Sequence, residues 1–132
     1  MTQRNIDIMN KVVDLLTEGK TISEALSEVY TRRKVQIPYT EEQTNVSICA
    51  LKFSNRVQHA LTDLELFTIN DVVEYANKHG VKSIKNMGAK SCVEVLEKIL
   101  NYLWVHMTHE ERVEFLIDTV ENNSDYVRDG IA

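Results

Sequence analysis

Hydrophobic residues recur at helical spacing along most of the sequence, and strand-like alternation is nearly absent. Met9, Val12, Val13 and Leu16 define one face of a helix predicted from about Ile6 to Glu18. Gly19 follows in the position that a left-handed helix end prefers. Thr21-Ile22-Ser23-Glu24 has the form of a capping box and opens a second helix, with Ile22, Ala25, Leu26, Val29 and Tyr30 on one side. Arg32, Arg33 and Lys34 are expected to close that helix, where cations favour its dipole. Pro38 breaks the pattern, and Val35 to Thr44 reads as a linker.

A second periodic region starts near Val46. Ser54 is a good N-cap for a helix carrying Val57, Ala60, Leu61 and Leu64. Thr68-Ile69-Asn70-Asp71 caps another through Val72, Val73 and Tyr75, ending at Lys78-His79-Gly80. After Ile84-Lys85-Asn86-Met87-Gly88, a long helix is predicted from about Ala89 to His106, with Cys92, Val95, Leu96, Ile99, Leu103 and Trp104 as its stripe. Thr108 and Glu111 mark the start of a last helix with Val113, Leu116, Ile117 and Val120 as its apolar face, and residues 122–132 read as a frayed tail. The fold class is therefore all-α. Three segments are expected: an N-terminal helical hairpin and linker over 1–44, a compact helical domain over 45–107, and an acidic helix and tail over 108–132. The N-terminal pair has the spacing of the first two helices of a helix-turn-helix, but such pairs are common in bundles, and packing on the central domain or on a partner is favoured. The last helix is expected to fold back on the long helix.

Charge narrows the functional classes. The 132 residues carry a formal net charge of -5, which disfavours nucleic-acid binding over the whole surface. The surplus is local: residues 105–132 hold 2 basic and 7 acidic groups, whereas residues 51–104 hold 7 basic and 6 acidic. Lys82, Lys85 and Lys90 fall between Val81 and Cys92 with no acid among them. Two cysteines, Cys49 and Cys92, imply no disulfide framework and favour a reduced, cytoplasmic setting. The N-terminus lacks the apolar run of a signal peptide, and no stretch approaches a membrane span. The four histidines show no metal-ligand spacing. No nucleophilic triad and no Gly-rich nucleotide loop is evident, so neither an enzyme nor a metal or other cofactor is expected.

The stretch Ile84-Lys85-Asn86-Met87-Gly88-Ala89-Lys90-Ser91 carries the one distinct chemical signal. An apolar anchor leads into a turn, then glycine, then a helix start, as in a helix-hairpin-helix element. Glycine lets a backbone approach a partner closely. The first amides of the next helix lack internal acceptors and suit a phosphate. The same octapeptide also fits a plain turn between packed helices with solvated lysines.

Four separated motifs then set the context: Leu51 to Leu61 with Ser54 and Arg56, Thr68-Ile69-Asn70-Asp71-Val72, Ile84 to Ser91, and Val93-Glu94-Val95. In kind and order they resemble the C-terminal domain of the bacterial RNA polymerase α subunit, over about residues 46–104. The part between Val73 and Ile84 is the least alike. The resemblance implies a compact helical domain that binds the minor groove of A+T-rich double-stranded DNA and also touches transcription factors. It implies that Arg56 enters the groove, where narrow A-tracts attract a guanidinium. It places His59 where the family has Asn, and Ala60 at the family's small residue. Asn86, Gly88, Lys90 and Ser91 match the hairpin, and Glu94 matches a helix acid that supports the site.

The leading expectation is a stand-alone, DNA-binding, transcription-associated protein of bacterial or phage type, too short to hold the assembly domain of a full α subunit. RNA polymerase, a transcription factor and a second copy of the protein are its protein partners by expectation; a membrane is not. The alternative is a protein-interaction module that keeps the fold without DNA binding, favoured by the acidic balance and by His59.

Overall fold

The computed structural model describes residues 1–31, 45–85 and 87–131. The expected linker at 35–44 and the basic triplet at 32–34 lie outside the described residues. Six α-helices are present among them: α1 (Gln3–Thr17), α2 (Ile22–Val29), α3 (Asn55–Asp63), α4 (Ile69–His79), α5 (Ala89–His106) and α6 (His109–Asn122). Short 3-10 turns occur at Ile48–Leu51, Val81–Ser83 and Ser124–Tyr126. Extended pairing among the described residues is confined to isolated bridges, so the protein is all-α as its periodicity predicts. It divides into two compact units: residues 1–36 with 107–132, and residues 37–106.

In the first unit, α1 begins earlier than its hydrophobic pattern suggests, because the Thr2 hydroxyl accepts from the Asn5 amide at 3.1 Å. Its buried face is Ile8, Val12 and Leu15, rotated from the expected Met9, Val12, Val13 and Leu16; Val13 is 41% exposed. Helix α1 ends in a Schellman turn, with Gly19 at φ +97. There the Gly19 amide donates to the Leu16 carbonyl at 3.1 Å and the Lys20 amide to that of Leu15 at 3.2 Å. The capping box forms at Thr21: the Glu24 amide donates to the hydroxyl at 3.2 Å and the Glu24 carboxylate accepts from the Thr21 amide at 3.1 Å. Those bonds to Thr21 lower the Glu24 carboxyl pKa. Helix α2 stops at Val29, before the basic triplet, because Tyr30 is extended and bridged to Val127.

That bridge also corrects the expectation of a frayed tail. The Thr31 amide donates to the Tyr126 carbonyl and the Arg128 amide to the Val29 carbonyl, each at 2.9 Å. Asn123 is fully buried, with Nδ2 2.7 Å from the Thr119 carbonyl. The polar run Asn122-Asn123-Ser124-Asp125 has no hydrophobic period, so its order comes from backbone pairing that periodicity does not register. Helix α6 packs on α1, burying Phe115, Leu116, Thr119 and Val120.

In the second unit, the 46–48 segment pairs with 67–69 through Ile48 N to Phe67 O at 3.0 Å and Ile69 N to Val46 O at 2.9 Å. The core takes Ile48, Phe53, Val57, Leu61, Ile69, Val72, Ile84, Val95 and Ile99, all buried. Helix α5 contacts α3 and both 3-10 turns. Of its predicted stripe, Cys92, Val95, Ile99 and Leu103 are buried, whereas Leu96 is 40% exposed and Leu100 takes its place.

Candidate nucleic-acid interface

Five of the six helices open on a capping hydroxyl: Thr2, Thr21, Ser54, Thr68 and Thr108 each accept from an amide of the following turn. Helix α5 opens differently. The Cys92 amide donates to the Gly88 carbonyl at 3.1 Å, which makes Gly88 the capping position, and glycine brings no acceptor of its own beyond the backbone. The amides that follow it, from Ala89 onward, carry the positive end of an 18-residue helix. Gly88, Ala89 and Lys90 are exposed and Ser91 is half-buried. Ile84 anchors the turn, at 3% exposure. Asn86 lies outside the described residues.

Nothing among the described residues requires glycine at position 88. A Cβ placed there meets no atom within 4 Å, and the backbone is not in the left-handed region. The turn is therefore open on its outer side.

Helix α3 begins at Ser54, whose hydroxyl accepts from the Val57 amide at 3.4 Å. Arg56 and His59, three residues apart and so on one side of the helix, are both exposed. Ala60 is 5% exposed, so its methyl group belongs to the interior and sits against the domain rather than on its surface. Of the two cysteines, Cys92 is buried in α5 and Cys49 is exposed.

One bond joins the two helix starts. The Ser54 amide donates to Glu94 Oε2 at 2.8 Å. Ser91 and Lys90 lie three and four residues before Glu94, on the same side of α5, and a rise of 1.5 Å per residue puts them about 4.5 and 6 Å back along the axis. Arg56 stands two residues beyond Ser54. Glu94 thus satisfies the amide that precedes α3 and ties the first turn of α3 to the opening turns of α5.

Sequence reasoning missed Lys98. Its ammonium lies 3.8 Å from Glu94 Oε2 and donates to the Lys52 carbonyl at 2.6 Å. The spacing of Glu94 and Lys98, four residues with the acid first, was the signal that could have found it. Among the described residues, no group of three or more His, Cys, Asp or Glu side chains is placed to hold a metal ion. No helix among them is long and apolar enough to cross a membrane.

Comparison with known proteins supplies the family. The model of the C-terminal domain of the bacterial RNA polymerase alpha subunit matches residues 35–101. A DNA-directed RNA polymerase subunit alpha of Gracilaria tenuistipitata var. liui is 32% identical over 76 residues, covering 58% of this sequence and 24% of that protein. One from Chlorokybus atmophyticus is 24% identical over 111 residues, covering 83% of this sequence and 33% of that protein. The sequence thus spans between a quarter and a third of the length of these relatives. No solved structure matches. With half of its length matched by the family model, and the four motifs inside the matched segment, the protein belongs to the family of the bacterial RNA polymerase alpha subunit's C-terminal domain.

Proposed function

We propose that the protein is a non-catalytic, transcription-associated protein that binds double-stranded DNA through the 45–107 segment, with 1–44 and 108–132 as flanking elements. The observation that carries this reading is the Ser54–Glu94 bond of 2.8 Å. It couples an exposed arginine on the first turn of α3 to the start of α5 behind Gly88, which bears Lys90 and Ser91. In this reading the amides behind Gly88, with Lys90 and Ser91, hold a backbone phosphate. Arg56 enters an A+T-rich minor groove and reads its width more than its bases. His59 adds a donor beside Arg56, and Ala60 and Glu94 support the surface from behind. Family membership supports the same assignment, since both relatives are alpha subunits of a DNA-directed RNA polymerase. RNA polymerase or a transcription factor is the proposed protein partner.

The test is a fluorescence titration of A+T-rich and G+C-rich duplexes at two salt concentrations, with the parent protein and an Arg56→Ala/Lys90→Ala variant. The expected result is a preference for the A+T-rich duplex that weakens with salt, and a loss in the variant of about 1–3 kcal/mol per contact removed. Equal binding by parent and variant refutes the reading. A second reading, a protein-docking module without DNA binding, has one observation in its favour: Val93 and Leu96, three residues apart on α5, are 50% and 40% exposed. It predicts that the parent shows no affinity for either duplex.

A further inference from the structure

Lys98 meets the segment entering α3 at the Lys52 carbonyl and the Phe53 ring, and reaches Glu94 on its own helix. Its ammonium donates to the Lys52 carbonyl at 2.6 Å, lies 5.7 Å from the centroid of the Phe53 ring, and stands 3.8 Å from Glu94 Oε2. That oxygen is the one that accepts the Ser54 amide at 2.8 Å. Residues 52 and 53 are thus engaged by Lys98, and residue 54 by Glu94 one turn earlier on α5.

The segment needs holding. Lys52 adopts the left-handed conformation, φ 52 and ψ 50, which is strained for any residue with a Cβ and persists only when its surroundings fix it. The rotation at Lys52 turns the backbone out of the 48–51 turn, sends Phe53 into the core at 8% exposure, and starts α3 at Ser54. Relaxing that rotation swings the first turn of α3, and Arg56 with it. Charge adds a second requirement. Glu94 is one helical turn from Lys90, and an unpaired carboxylate there would repel a phosphate held at the Gly88–Ser91 turn. Lys98 offsets that charge from the next turn of the same helix.

We propose that Lys98 is a positioning residue for the DNA-binding face: it locks the left-handed turn at Lys52, sets the entry of α3 and the reach of Arg56, and neutralises Glu94, without touching DNA itself. The inference rests on the DNA reading above. An isolated exposed pair such as Lys98–Glu94 contributes little by itself. The added bond to the Lys52 carbonyl gives this lysine a conformational role, because its ammonium has donors enough for both partners.

The experiment uses the full-length protein with Lys98→Met, Lys98→Arg and Lys90→Ala, an A+T-rich duplex titrated across a salt series, and amide NMR of the DNA-free proteins. Lys98→Met is expected to weaken binding about three- to tenfold, the equivalent of one ordinary hydrogen bond, with the slope of log K against log salt unchanged. Lys90→Ala is expected to lower that slope by about 1, as the loss of a phosphate contact requires. Lys98→Arg keeps the charge and the donor and is expected to restore binding. In the free protein, the Ser54 amide is expected to shift and exchange faster in Lys98→Met only. A parent protein that binds DNA while Lys98→Met binds equally well, or loses slope as Lys90→Ala does, or leaves the Ser54 amide unmoved, overturns the inference alone. A parent protein that binds no DNA removes the reading beneath it, and the inference falls with it.

Discussion

Replacing Gly88 by alanine separates what the fold needs from what a partner needs. The added Cβ meets nothing within 4 Å, and the backbone is not left-handed, so the native state accepts the methyl group without strain. Two small effects on stability oppose each other. Alanine restricts the unfolded state, which stabilises by about 0.4–1 kcal/mol. Alanine is also a poorer helix N-cap than glycine, which costs about 0.5–1 kcal/mol. The net change is within about 0.5 kcal/mol, a shift in Tm of roughly 2 °C for a protein of this size. Binding has no such compensation. If the amides behind Gly88 receive a phosphate, the methyl group intrudes on the approach and removes at least one contact, about 1–3 kcal/mol or roughly 5- to 150-fold in Kd. The assay pairs a thermal melt with an anisotropy titration on an A+T-rich duplex at fixed salt. Unchanged affinity shows that no partner backbone approaches this turn. A large drop in Tm shows instead that the glycine serves the fold, which contradicts the open space around it.

Other consequences follow from charge and burial. Tyr30 is 1% exposed and its hydroxyl has no hydrogen-bond partner among the described residues, so Tyr30→Phe should leave stability at neutral pH unchanged or raise it by up to about 1 kcal/mol in a denaturant titration. Burial raises the Tyr30 pKa from 10.0 to about 12; the phenol holds its proton more tightly when folded, so the parent loses stability as pH rises from about 10 toward 12, and Tyr30→Phe flattens that limb. Glu24 behaves oppositely: its bonds to Thr21 lower its pKa from 4.5, so its contribution is complete above that value and is lost as pH falls below it, and Glu24→Gln makes the acid limb of the melting profile shallower. For DNA binding, Arg56 and Lys90 as the two cationic contacts give a slope of log K against log salt of about -1.8, or roughly a tenfold loss from 50 to 200 mM; a slope near -6 would mean that a much larger basic surface is engaged.

Local signals along the sequence were legible because local physics sets them. The capping boxes at Thr21, Thr68 and Thr108 form as their spacing predicts, since each closes within four residues. Gly19 ends α1 for the same reason. The errors lie where a distant stretch of backbone decides the outcome. Val13 was expected to be buried and Leu15 was not, because the face of α1 is chosen by the helices it packs on, and Ile6, Met9, Val13 and Leu16 form an equally regular stripe. The tail looked frayed because its order rests on partners about a hundred positions away, residues 27 to 31 and Arg4.

The proposed interface divides along the same line. Arg56, Gly88, Lys90 and Ser91 were legible as residue types at a helix start, and the open space around Gly88 agrees with a turn that serves a partner. What unites them was not legible. The Ser54–Glu94 bond spans 40 positions and the Lys98–Lys52 bond 46, and neither leaves a periodic trace. Yet these bonds give the arrangement its meaning, because an arginine on one helix and a bare turn on another are two ordinary surface features until something fixes their separation. A carboxylate inside the proposed phosphate-binding face looks unfavourable in sequence. In the folded protein it is the joint between the two helices, held by an amide on one side and an ammonium on the other, so its charge is already engaged when an anion arrives.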